Sequence, residues 1–172
     1  TEGVQINEST VADSGEDGLG AASNGNDEEY GYPSGIFDFA VENLPVPGES
    51  VNIVLPIAGG IPANAVYRKF ESTQGWFNFE IDDDNYVSSA AGTSASCPAA
   101  GNSSYSKGLN QGDFCLQLTI KDGGANDADG TVNGVVDDPG GLAVDDNPPT
   151  VVAPDDANVE AESGSGVSLT NG

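Results

Sequence analysis

The strongest constraint in this chain is a two-residue alternation of apolar and polar side chains, in short runs that never lengthen into helical spacing. In DFCLQLTI, Phe114, Leu116, Leu118 and Ile120 share one face, and Cys115, Gln117 and Thr119 the other. The same period groups Phe37, Phe39 and Val41 in GIFDFAV, Val51, Ile53, Leu55 and Ile57 in SVNIVLPI, and Phe77, Phe79 and Ile81 in GWFNFEI. Side chains alternate across a strand, so each run reads as a strand with one buried face. PVPGES, AGGIPAN, DDDN, SKGLNQGD and DGGAND fall between the runs and supply turn residues. The expected fold is all-β: an antiparallel β-sandwich, immunoglobulin-like or jelly-roll-like, with long Gly/Asp-rich loops.

Charge narrows the function. The chain carries 28 acidic residues against four basic ones, a net charge of −24; the bases are Arg68, Lys69, Lys107 and Lys121. Self-repulsion on that scale destabilises a compact state unless something offsets it. Nucleic acid and anionic membrane surfaces need basic patches, so neither is expected as a partner. No apolar run is long enough for a membrane-spanning helix, and direct membrane insertion is not expected. The sequence has no His and no G-x-S-x-G elbow. A serine triad or zinc hydrolase is therefore not expected, and a carboxylate pair has no specificity among so many acids. The chain reads as a non-enzyme. Trp76, Tyr67, Tyr86 and Tyr105 are candidates for a sugar-stacking platform, with ordinary packing of Trp76 beside Phe77 as the alternative.

The two cysteines, Cys97 and Cys115, form an even set in an acidic, Gly/Asn/Ser/Thr-rich chain. That pattern fits a secreted or surface-exposed protein and predicts a Cys97–Cys115 disulfide. The loop it closes is of a size where chain entropy gives about 3 kcal/mol. Two free thiols in a reducing compartment are the alternative; zinc would need further ligands that the chain lacks. With Cys115 on the polar face of its strand, the bridge should lie at the surface and staple the loop SASCPAAGN, instead of joining two sheets.

Acids gather at bends. KDGGANDADGTVNGVVDDPGG, residues 121–141, holds Asp122, Asn126, Asp127, Asp129, Asn133, Asp137 and Asp138. Asp127, Asp129 and Asp138 stand at positions one, three and twelve of a calcium-loop spacing, and hard cations take six to eight oxygens from such segments. The spacing departs from an EF-hand: Gly130 is at position four, Thr131 at five, the twelfth residue is Asp, and no helices flank it. Calcium is the expected cofactor, in a β-sandwich type of loop. A solvated turn, with Asp and Asn chosen for turn geometry, is the alternative. EIDDDNY offers a second set in Asp82 and Asp84, where a hairpin turn explains the acids about as well. A third cluster lies at Asp13, Glu16, Asp17, Asp27, Glu28 and Glu29.

Three segments follow from composition. Residues 1–35 are an acidic N-terminal segment packed on or extending the sandwich, 36–144 are the sandwich, and 145–172 are a linker with C-terminal strands. The stretches FDFAVENLPVPGESVNIVLPIAGGIPANAVYRKF, GWFNFEIDDDN and CPAAGNSSYSKGLNQGDFCLQLTIKDGGANDADGTVNGVVDDPGGLAV resemble the choice-of-anchor U domain of bacterial surface proteins. The tail PPTVVAPDDANVEAESGSGVSL resembles the opening of a hyalin-repeat, immunoglobulin-like module. The resemblance implies surface display without catalysis, and partners among other domains or subunits of a surface protein or fibre. The expected function is a calcium-stabilised structural domain of a secreted bacterial adhesin or extracellular fibre. Alternatives are a self-assembling filament subunit that exchanges strands, or a module binding glycan or peptide.

Overall fold

A computed structural model gives the architecture and describes residues 5–12, as a strand backbone, and 27–147 in full. The expectations placed on Asp13, Glu16, Asp17 and residues 148–172 lie outside the described residues. Ten strands are described: β1 (Gln5–Ala12), β2 (Tyr30–Gly31), β3 (Ile36–Glu42), β4 (Ser50–Pro56), β5 (Val66–Glu71), β6 (Gly75–Asn78), β7 (Tyr86–Ala90), β8 (Ser106–Lys107), β9 (Cys115–Lys121) and β10 (Val136–Asp145). They form two antiparallel sheets. One runs β1-β3-β10-β5-β6, with β2 beside the end of β10; the other runs β4-β9-β7-β8.

The sheets face each other across one apolar core. The first contributes Phe39, Val41, Tyr67, Val136 and Leu142; the second contributes Ile53, Leu55, Val87, Leu116, Leu118 and Ile120. Registers agree with this assignment: Val41 lies opposite Val136, Tyr67 opposite Leu142, and Leu118 between Ile53 and Val87. Burial of such side chains gives roughly 1.5–3 kcal/mol each before chain entropy is set against it. The alternation of β3, β4 and β9 is as the sequence predicts. GWFNFEI departs from it: Phe79 is in the core, but Ile81 is 70% exposed, because β6 ends at Asn78 and the chain turns away.

β10 organises the first sheet. Its first half pairs with β3 (Val136 to Gly140), its second with β5 (Gly140 to Ala143), and its end with β2. Pro139 has no N–H for a ladder, and it sits where β10 pairs with β3 alone. Residues read from sequence as part of a calcium loop are thus a central strand. The glycines there make room for neighbours. A Cβ on Gly140 would meet Arg68 O at 2.6 Å and Tyr67 Cε1 at 2.9 Å, and one on Gly141 would meet Tyr32 Cδ1 at 2.8 Å.

Candidate functional site

The acids of 122–138 fold back onto the protein itself. Asp122 is fully buried; its carboxylate accepts N–H from Gly48 and Gly134 at 2.8 Å each and from Asn133 at 3.1 Å. Burial alone would push this acid up, but the three backbone donors together hold it below the usual carboxylate range. Asn126, also fully buried, accepts from Glu80 N through Oδ1 and donates to Glu80 O through Nδ2, both at 2.8 Å. Asp127 accepts from Gly123 N at 2.7 Å and Asp137 N at 2.9 Å. Burial dominates at Asp127 and raises its pKa despite those donors.

Three of the predicted ligands thus have partners within the chain. Asp122, Asn126 and Asp127 all accept backbone N–H groups, so the loop closes on the chain's own donors. Asp129 and Asn133 are exposed and close a local turn: Asp129 accepts Thr131 N at 2.7 Å and Asn133 Nδ2 at 2.8 Å, and Asn133 Oδ1 accepts Val135 N at 2.8 Å. Asp137 and Asp138 leave the loop for β10 and point to opposite faces of the sheet. On the outer face, burial and then the neighbouring Asp38 raise Asp137. Asp38 is raised by burial first and by Asp138 second.

The turn at 82–85 is closed in the same way. Asp82 Oδ1 accepts Asp84 N and Asn85 N at 2.7 Å each, and both Asp82 oxygens take the Asn85 side-chain amide. The Asn85 amide, followed by the Asp84 N–H, holds Asp82 below its ordinary value. Asp84 pairs with Lys121 at 2.6 Å across an exposed surface, a contact worth little by itself. Asp82 thus closes the turn that carries the chain from β6 in the first sheet to β7 in the second, and Asp84 forms a surface ion pair. Among the described residues, no group of three acidic, His or Cys side chains is placed to hold a metal ion.

Two basic residues that the sequence left unassigned are structural. Arg68 and Lys69 follow one another in β5 and so point to opposite faces. Arg68, on the outer face, is gripped by Asp27, with Nε at 2.9 Å and Nη2 at 3.1 Å, donates to Asn78 at 2.9 Å, and stacks over Tyr30. Tyr32 donates to the same Asp27 at 2.5 Å, and its ring packs on Trp76, which also meets Phe70. Asp27 thus fastens the 27–35 segment to the sheet. Lys69, on the inner face, meets Asp138 directly. Both side chains have 0% exposure. Tyr67 donates its hydroxyl to the other Asp138 oxygen at 3.0 Å. Burial, then the Asp138 charge, lifts the Tyr67 hydroxyl well above its ordinary range, so it remains a donor.

The aromatic platform does not assemble. Tyr67 is in the core, with an edge contact to Phe79, while Trp76 lies on the outer side of the same sheet. Tyr86 belongs to the second sheet under Lys107, and Tyr105 donates to Pro98 O at 2.9 Å. The disulfide joins Cys97 to Cys115. It staples the 91–105 loop to the outer face of β9, where Gln117 also accepts Gly101 N at 2.7 Å. The loop covers that face completely enough that Cys115, expected at the surface, is fully buried.

Every buried side-chain nitrogen or oxygen among the described residues has a hydrogen-bond partner. Comparisons with protein-family models, with curated proteins and with solved structures find no match.

Proposed function

We propose that this chain is a non-catalytic structural module of a secreted, surface-displayed bacterial protein or extracellular fibre. The observation that carries this reading is the commitment of the buried polar groups: Asp122, Asn126, Asp127, Lys69, Asp138 and Arg68 all bond within the fold. A binding or catalytic site keeps groups poised for a ligand; here they fasten loops and strands. The disulfide, the resemblance to choice-of-anchor domains and the −24 charge fit display outside the cell. A calcium requirement, expected from the acids, finds no assembled ligand set among the described residues, and this reading does not need one.

The test is a glycan array together with a panel of glycosidase, esterase and peptidase substrates, all with the full chain. Silence on both is expected. Dose-dependent glycan binding or turnover of any substrate would replace this reading with a binding module or an enzyme.

A filament that exchanges strands is the second reading. The observation favouring it is β1, an edge strand that pairs with β3 alone. Light scattering of the purified chain separates the two. A monomer at all concentrations removes the filament; a concentration-dependent polymer supports it.

A further inference from the structure

We propose that Lys69 and Asp138 condense into an intramolecular amide, an isopeptide bond joining Lys69 Nζ to Asp138 Cγ across β5 and β10. The two residues sit on adjacent antiparallel strands: Lys69 is opposite Gly140, and Asp138 is two positions along on the same inner face. Their side chains are in direct contact and wholly shielded from water. The neighbouring inner-face positions are aromatic, with Phe39 opposite Asp138 and Phe77 opposite Lys69. An ion pair in such surroundings gives up the hydration of both charges. The amide removes both charges at once.

The groups needed for the step are in place. The ammonium passes one proton to Oδ1, which it touches, leaving a neutral amine against a carboxylic acid. The nitrogen lone pair then adds to Cγ. Negative charge develops on Oδ2, which already accepts the Tyr67 hydroxyl at 3.0 Å. The intermediate collapses by breaking the Cγ–Oδ1 bond. Oδ1 leaves as water with a second proton from the nitrogen. Three ammonium hydrogens are thus divided between one amide N–H and one water, and no oxidant or co-reactant is required. Holding amine and carboxyl in contact supplies the effective concentration that free side chains in water lack.

The product's polar groups also have partners waiting. Oδ2, now the amide carbonyl, keeps the Tyr67 hydroxyl. The amide N–H inherits the direction of Lys69 Nζ toward Asp137 O, which is 3.4 Å away. Gly140 is the positioning residue: a Cβ there would collide with the Tyr67 ring at Cε1, 2.9 Å away, and displace the hydroxyl from Asp138.

Intact mass of the full chain, after reduction of the disulfide, tests the bond without any variant. The expected mass is one water below the sequence mass. A tryptic digest should yield a branched peptide joining the Lys69 and Asp138 segments, with no cleavage after Lys69. Asp138→Asn should reach the same cross-linked mass by losing ammonia, and Lys69→Arg should remain at full mass. Tyr67→Phe should slow the appearance of the cross-linked form in freshly folded protein. A folded parent at full sequence mass would overturn the proposal. So would a water loss that maps to Asp129–Gly130 and is regained by mild alkaline hydrolysis, because that marks a succinimide.

Discussion

Asn126 engages Glu80 with both ends of its amide, accepting from Glu80 N and donating to Glu80 O at 2.8 Å each. The pair copies a backbone ladder with a side chain, and it ties the 122–135 loop to the segment that leaves β6. Asn126→Ala should cost about 2 kcal/mol, two hydrogen bonds at roughly 1 kcal/mol each. Asn126→Asp should be at least as harmful, because a carboxylate faces the Glu80 carbonyl. Chemical denaturation of both variants checks this; an unchanged midpoint in either would remove Asn126 as a fastener.

Asp122 gathers donors from two separate segments, Gly48 and the Asn133–Gly134 turn. Asp122→Ala leaves three N–H groups without their acceptor and should cost about 3 kcal/mol. Asp83→Asn is the control. Asp83 is exposed, and removing its charge should leave stability unchanged or raise it slightly by reducing self-repulsion. Equal effects from the two substitutions would mean that Asp122 acts only through its charge.

The disulfide closes a separation of 18 residues, for which chain entropy gives about 3 kcal/mol. With Cys115 fully buried and Cys97 half-buried, reductant can approach the bridge only from the Cys97 side until the loop opens. Native protein should therefore be reduced far more slowly than unfolded protein. Gly92→Ala should shift that balance, since its Cβ would collide with Cys115 Sγ, at a backbone φ of +36°. The rate of thiol release with and without denaturant is the measurement. Equal rates would contradict the buried placement.

The acids oppose one another in pH. Asp38, Asp127 and Asp137 have folded pKa values raised, chiefly by burial. The folded state binds their protons first, so stability grows as pH falls toward the ordinary carboxylate value. Asp82 and Asp122 are lowered. The stability they contribute is present above that ordinary value and is lost as pH falls below it. The melting midpoint should therefore rise on mild acidification, pass a maximum, and then drop. A steady decline from neutral pH downward would contradict the raised set.

What the sequence showed and what it hid have one physical cause. β3, β4 and β9 alternate cleanly because one face of each meets the core and the other meets water or a covering loop, so period two was enough. β5 was missed because Arg68 and Lys69 interrupt its apolar pattern, and their partners Asp27 and Asp138 lie 41 and 69 residues away. β10 carries two Asp, a Pro and two Gly and looks like a bend; only its pairing with β3 and β5 makes it a strand. The spacing of Asp127, Asp129 and Asp138 suggested a cation because local sequence shows carboxylates and hides N–H donors. Gly48, which serves Asp122, is 74 residues distant.

The acid-rich loop is held by the chain's own backbone donors. Amide hydrogen exchange at Gly48, Gly123, Asn133, Gly134 and Asp137, the residues whose N–H groups bond to Asp122 and Asp127, tests it most directly. The protein is measured first in chelator and then in millimolar calcium at matched ionic strength. These amides should already be protected in chelator and should not change when calcium is added. Fast exchange in chelator that becomes slow only with calcium would show that an ion, and not the backbone, organises the loop.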